Sequence, residues 1–167
     1  MGRARTTPRC PRCALHQPIC LCDTVRPLAT RARVVVVMHF KEAQKQSNTG
    51  RLAALCLPTA EVRLRADRDR PLDLSDVPDP ARRPVLLYPD PDAPALDAAW
   101  AAADPRPVTL VVPDGNWRQT VKTCKREPVL AALPRVRLPP GPPSRYRLRS
   151  HPDPARISTL EAIARAM

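Results

Sequence analysis

The chain has 167 residues, enough for one domain with a small appendage. Lys and Arg number 28 against 16 Asp and Glu, a formal charge of +12, and 43% of residues are hydrophobic; this excludes wholesale disorder and points to a polyanionic partner, nucleic acid first. An aromatic content of 3% excludes a reader that stacks bases on several exposed rings, and no apolar run approaches the ~18–20 residues of a membrane helix.

The basic N-terminus lacks the apolar stretch of a secretory signal, so the expected location is cytoplasmic, with no membrane partner. Proline is abundant (23) and glycine scarce (4), a bias that matches coding from a GC-rich genome together with the excess of Ala and Arg. Such drift exchanges Lys for Arg without creating net charge, so the argument for a polyanion stands.

Four of the six cysteines, Cys10, Cys13, Cys20 and Cys22, fall close together. A disulfide framework is disfavoured in a reducing compartment. A Cys-x2-Cys turn instead places two sulfurs on one side of a tetrahedral Zn²⁺, and four thiolates complete the set. His16 lies in the tight loop between the pairs and can replace one cysteine; free thiols or a redox pair are the alternative to a metal. Residues 1–30 are therefore expected to form a structural zinc ribbon, with Arg9 and Arg12 adding a basic surface, ahead of an α/β domain at 31–167. Cys56 and Cys124 sit in apolar, helix-like contexts and are expected to be buried.

Residues 33–39 read as a strand buried on both faces, from their continuous β-branched run. A polar loop follows at 41–49, then a short helix at 50–57, a half-buried strand at 61–65 and a charged, Pro-rich loop at 67–83. Residues 84–89 are a second buried strand, 93–103 a helix around Trp100, and 107–113 a third buried strand. A helix is expected from 116 to 125, continuing past Pro128 to 133, then strands at 135–138 and 146–149 around the rigid turn 139–143. Ser158 and Glu161 form a capping box for a C-terminal helix. That helix stops after barely two turns, which is expected of a truncated chain. No internal repeat is present.

Strands alternating with helices give an α/β sheet, and ligands bind beyond the carboxyl ends of such strands. Three loops fall on that edge, at 39–50, 89–93 and 114–117, with the cap at Ser158 as a fourth contributor. No P-loop, dinucleotide, metalloprotease or serine-elbow signature is present. In Asp114-Gly115-Asn116-Trp117 a carboxylate leaves a buried strand at a Gly turn. Asp114 is either a general base or a cap for the next helix, with Trp117 as core in the latter case. Asn48-Thr49-Gly50-Arg51 either presents amides to an anionic group or merely starts a helix.

Taken in order, these pieces resemble the DTW-domain family, the tRNA-uridine aminocarboxypropyltransferases. The resemblance rests on the four cysteines, on His39 with Glu42 and Asn48-Thr49-Gly50-Arg51-Leu52, and on Tyr88-Pro89-Asp90-Pro91-Asp92-Ala93. It continues through Asp114-Gly115-Asn116-Trp117, Tyr146-x-Leu148-Arg149 and Ser158-Thr159-Leu160-Glu161-Ala162. Asn116 stands where the family has Thr, and the last helix ends earlier than in family members. The resemblance implies a SPOUT-like sheet with flanking helices and a C-terminal knot, here incomplete. It implies S-adenosylmethionine as donor, and transfer of its 3-amino-3-carboxypropyl group to N3 of a tRNA uridine with release of methylthioadenosine.

It further implies Asp114 and Trp117 as catalytic residues. The donor is assigned to His39, Asn48, Thr49, Gly50, Pro89, Asp92, Gly115, Asn116, Ser158, Thr159, Leu160 and Glu161. tRNA is assigned to Arg51, Arg118, Arg145, Arg147 and Arg149, and zinc to the four cysteines. The alternatives are a SPOUT-type RNA methyltransferase, an rRNA aminocarboxypropyltransferase and a non-catalytic zinc-ribbon RNA-binding module; monomer and homodimer both stay open.

Overall fold

A computed structural model describes residues 7–148 and 156–167. The β-branched run becomes the central strand β1 (Arg33–His39), with residues 34–38 at 0–1% exposure. Side chains alternate across a strand. Val34, Val36 and Met38 therefore join one core with Ala53, Leu57, Leu110 and Ile163, while Val35 and Val37 join a second with Leu74, Val77, Val111, Cys124 and Leu130. A sheet buried on both faces needs β-branched residues at successive positions, which is why the run is unbroken.

The other strands are β2 (Ala60–Arg65), β3 (Arg83–Leu87), β4 (Val108–Asp114) and β5 (Arg135–Val136). All pair in parallel in the order β2-β1-β4-β3-β5. The helices are α1 (Phe40–Ala43), α2 (Ala53–Cys56, preceded by the 3-10 turn Gly50–Leu52), α3 (Ala98–Ala102), α4 (Trp117–Arg126), α5 (Pro128–Ala132) and α6 (Thr159–Ala166). Residues of α2, α3 and α6 pack on the first core, and those of α4 and α5 on the second. From β1 the chain goes on to β2 on one side; from β4 it goes on to β5, beyond β3 on the other. Adjacent strands whose connections part in this way open a crevice at their carboxyl ends.

Several expected elements are shorter than their sequence pattern. The helix expected from residue 93 begins only at 98, because Asp97 caps it by accepting from the Trp100 N–H at 2.8 Å. The preceding residues run extended instead, Ala95 bridging to Arg137 and Leu96 N–H donating to Arg137 O. The helix expected across Pro128 is broken at Glu127, whose φ −89°, ψ 109° is extended. Proline crowds the residue before it out of the helical region. The strand expected at 135–138 is two residues long, and none forms at 146–148, where Tyr146 N–H donates to Ser144 Oγ and its hydroxyl to Ser47 O; position 149 lies outside the described residues.

The loop expected at 67–83 ends one residue early, Arg83 opening β3, and residues 67–82 form no helix or strand but are not merely solvated. Leu74 and Val77 are buried in the second core, and Asp76 is gripped by Arg33 and Arg63, which also hold Glu61. Those guanidiniums, Arg63 foremost, keep the Asp76 carboxyl well below the usual carboxylate range. No described helix is long and apolar enough to cross a membrane.

Val36→Ala is expected to lower unfolding free energy by about 1.5–3 kcal/mol, from two lost carbons and the cavity they leave. Val62→Ala on the half-buried edge strand β2 is expected to cost less than half as much. Urea unfolding of both variants checks the difference.

Candidate functional site

The four cysteine sulfurs all lie within 4.8 Å of one another, with Cys10 Sγ–Cys22 Sγ at 3.6 Å and Cys13 Sγ–Cys20 Sγ at 3.7 Å. A disulfide would bring two sulfurs to about 2.05 Å, so all four are thiols. A tetrahedron with metal–sulfur bonds of about 2.3 Å sets its sulfurs about 3.8 Å apart, and this set fits it. The backbone N–H groups of Cys13 and Arg12 draw the Cys10 thiol down to about 6. Burial, then crowding by the other sulfurs, pushes Cys22 up to about 12. Thiols packed this closely resist ionising together without a cation among them. His16 is not part of the set: its ring contacts Thr7 O at 3.1 Å and the Gln46 amide at 2.7 Å.

At the β1–β4 crevice the loops converge on one carboxylate. Asp114, the last residue of β4, is 8% exposed. Its Oδ2 accepts from Asn48 Nδ2 at 2.6 Å and its Oδ1 from Thr159 Oγ1 at 2.7 Å. Asn48 belongs to the loop after β1, and Thr159 opens α6. Gly50 backs the carboxylate so closely that a Cβ there would stand 2.5 Å from Asp114 Oδ2. Two further bonds lace the same parts, Leu160 N–H to Thr49 Oγ1 at 3.3 Å and Tyr146 O–H to Ser47 O at 2.6 Å.

Beside this clamp stands an aromatic pair. Trp117 opens α4 at 44% exposure and stacks on Tyr88, which follows β3, with centroids 5.5 Å apart. Arg156 lies over Trp117 at 5.1 Å, and Arg135 over Tyr88 at 4.9 Å. Trp117 is thus a rim residue rather than core.

Comparison with known proteins bears on what such a site is for. The DTW domain matches residues 7–167. The chain belongs to the DTW domain family. Curated relatives include tRNA-uridine aminocarboxypropyltransferase 2 of Mus musculus, 29% identical over 98% of this chain and 57% of its own length. The Drosophila melanogaster protein of the same name is 27% identical over 95% of this chain and 65% of its own length. The chain therefore spans about three fifths of the curated relatives it matches. No solved structure matches.

Within this DTW domain the structure gives several expected site residues structural work. Asn116, not Asp114, caps α4: its Oδ1 accepts from Gln119 N–H at 2.9 Å, and Gln119 Oε1 accepts from its N–H at 2.8 Å. Asn is among the best N-cap residues, which suits it to this helix start. His39 caps α1 by accepting from Lys41 N–H, and burial, then Arg65, lowers the basicity of its ring. Gly115 lies against Gln119 in the same turn.

Pro89 and Asp92 are exposed past β3, where the Asp92 N–H donates to Asp90 Oδ1 rather than joining the Asp114 clamp. Arg51, expected on RNA, turns inward instead: its guanidinium donates to Ala43 O and Lys45 O, closing the loop after β1. Arg118, Arg145 and Arg147 are exposed, and Arg149 lies outside the described residues. The pattern did not single out Tyr88 as a site residue, although its place one residue past a buried strand is the available signal.

Glu161 holds α6 together rather than offering a free carboxylate. It completes the Ser158 capping box and also accepts from Ser144 O–H and Arg145 N–H, each at 2.7 Å. Burial alone would raise its pKa, but the Ser158 N–H and these donors outweigh that and hold it at about 2, against 4.5 ordinarily. The folded-state value is the lower one, so its stabilisation is complete above about pH 4.5 and lost as pH falls through about 2. Discounted for solvent screening, this is about 1–2 kcal/mol. Glu161→Gln should be less stable than the parent at pH 6 and approach it near pH 2, as read from unfolding midpoints across that range.

Proposed function

We propose that this chain transfers the 3-amino-3-carboxypropyl group of S-adenosylmethionine to N3 of a tRNA uridine, as a cytoplasmic enzyme. The observation that carries the reading is the Asp114 clamp: the family's eponymous segment meets the loop after β1 and the start of α6 at the crevice where an α/β sheet binds ligands. The names of the curated relatives, and a charge of +12 suited to RNA, support it.

In the reaction N3 bonds to the terminal carbon of the aminocarboxypropyl chain as that carbon's bond to sulfur breaks. The N3 proton is lost, and methylthioadenosine departs neutral. All three carbons on a sulfonium are activated, so the protein chooses among them by placing the nucleophile in line with one. We assign this placing to Asn48, Thr49 and Gly50, to Gly115 and Asn116, and to α6 from Ser158 to Glu161. Two hydrogen bonds fix the plane of the Asp114 carboxylate, which supports a role in taking the N3 proton or holding the donor's positive charge. Trp117 supplies a stacking surface, a contact worth ~1–3 kcal/mol for a base. A SPOUT-like closure of α6 over the crevice, with the C-terminal knot the family implies, belongs to this reading; residues 149–155 lie outside the described part. The four-cysteine set we assign to structural Zn²⁺.

Incubated with unmodified tRNA transcript and S-adenosylmethionine, the protein should yield aminocarboxypropyl-uridine and an equal amount of methylthioadenosine by mass spectrometry. Methyl gain with S-adenosylhomocysteine, or no turnover with tRNA still bound, would sink the proposal. Asp114→Asn should reduce turnover at least ~100-fold with tRNA affinity within about threefold. Elemental analysis should find roughly one zinc per chain, absent from Cys13→Ser/Cys20→Ser, with a lowered unfolding midpoint after chelation.

A further inference from the structure

Several of the cations around the sheet are held in ion pairs within the fold. Arg33 and Arg63 pair with Glu61 and Asp76, Arg65 with Glu127, Arg106 with Asp104 and Arg135 with Asp90. Helix α4 is different. Its ten residues contain Arg118, Lys122, Lys125 and Arg126 and no acid. All four are exposed, and none makes a hydrogen bond or ion pair among the described residues. At about 100° per residue they fall in one arc about 100° wide, opposite the buried Thr120, Thr123 and Cys124.

Helix stability does not explain that arc. Lys125 and Arg126 suit the negative end of the helix dipole, but Arg118 sits in the first turn, where a cation is disfavoured. Arg118 with Lys122, and Lys122 with Arg126, are like charges four residues apart, which destabilises a helix further. The arc holds no apolar side chain that would enter a membrane. Its position is fixed at both ends: α4 starts beyond β4 beside the Asp114 clamp, and its C-cap Glu127 is held by Arg65, the last residue of β2, at 2.6 Å. The cationic face therefore follows the rim of the sheet edge that carries the site, over about 12 Å from Arg118 to Arg126.

The geometry points to the outward face of α4 as a rail for the RNA phosphate backbone, leading from the Trp117 rim past Lys122 to Lys125 and Arg126. This rests on the reading of tRNA as substrate and adds the surface that grips it. Each phosphate neutralised releases counterions, so the rail makes affinity steeply salt-dependent.

The test is equilibrium binding of an unmodified tRNA transcript to the full chain between about 50 and 200 mM salt. Lys122→Ala/Lys125→Ala is expected to weaken binding at least ~10-fold and to flatten the log–log salt slope by about 1.4–1.8, at ~0.7–0.9 per lost contact. The charge-keeping Lys122→Arg/Lys125→Arg should retain both. Arg31→Ala/Arg106→Ala removes the same net charge from the opposite sheet edge and should change the slope by less than about 0.5. Equal slopes for the two alanine pairs would overturn the rail, and so would loss of binding in the arginine pair. A wild-type chain that binds the transcript through these lysines but makes no aminocarboxypropyl product would refute the substrate reading and leave the rail standing. A wild-type chain that binds no transcript overturns both.

Discussion

The carboxylate of Asp114 is buried, bonded on each oxygen, and shared by three parts of the chain far apart in sequence. Taking a polar group out of water without partners costs about 2–7 kcal/mol, so Asn48 and Thr159 are constraints on the fold as much as on a site. Because Asn48 must reach it, the loop after β1 has to pass directly over the end of β4, and only a glycine leaves room at position 50. Because Thr159 must reach it, α6 has to begin over the same crevice, where Ile163 then completes the first core. The crevice is thus closed by polar bonds at its base and by apolar packing behind.

The four-cysteine centre connects to this arrangement through a short relay. His16 lies between the two cysteine pairs and contacts Gln46, while Arg9 beside Cys10 reaches Gln44 O. Gln44 and Gln46 lie in the turn just before Asn48. Arg51 closes that turn from inside by donating to Ala43 O and Lys45 O. A metal-held ribbon of this kind would stiffen the loop whose tip fixes the plane of the central carboxylate.

Strands were the part of the fold most open to reading, because burial on both faces forces a local signature, unbroken Val and Leu, that needs no knowledge of the partners. Helix limits were less open. Pro128 marks its break in the sequence, but the late start of α3 depends on Ala95 and Leu96 finding Arg137, a contact 40-odd residues away. The same distinction holds at the site. Cysteine spacing is local, so the clustering of the four sulfurs could be read and even His16 weighed. The roles of Asn116, Glu161 and Arg51 depend on which backbone groups happen to need a partner, and spacing carries no record of that. Trp117 shows the point from the other side: from the sequence it could be core or rim, and its neighbour Tyr88, supplied by a different strand, decides for the rim.

The contacts that close the crevice also fix when it can form. Leu160 N–H meets Thr49 Oγ1 across 111 residues of sequence, Tyr146 meets Ser47 across 99, and Thr159 meets Asp114 across 45. Strands β1 to β4 are complete once Asp114 has been made, yet one oxygen of its carboxylate waits for Thr159, made 45 residues later. On the ribosome the sheet is ready first and the crevice shuts last. A nascent chain therefore passes through a stage in which its framework is built and one side of its central carboxylate still faces water.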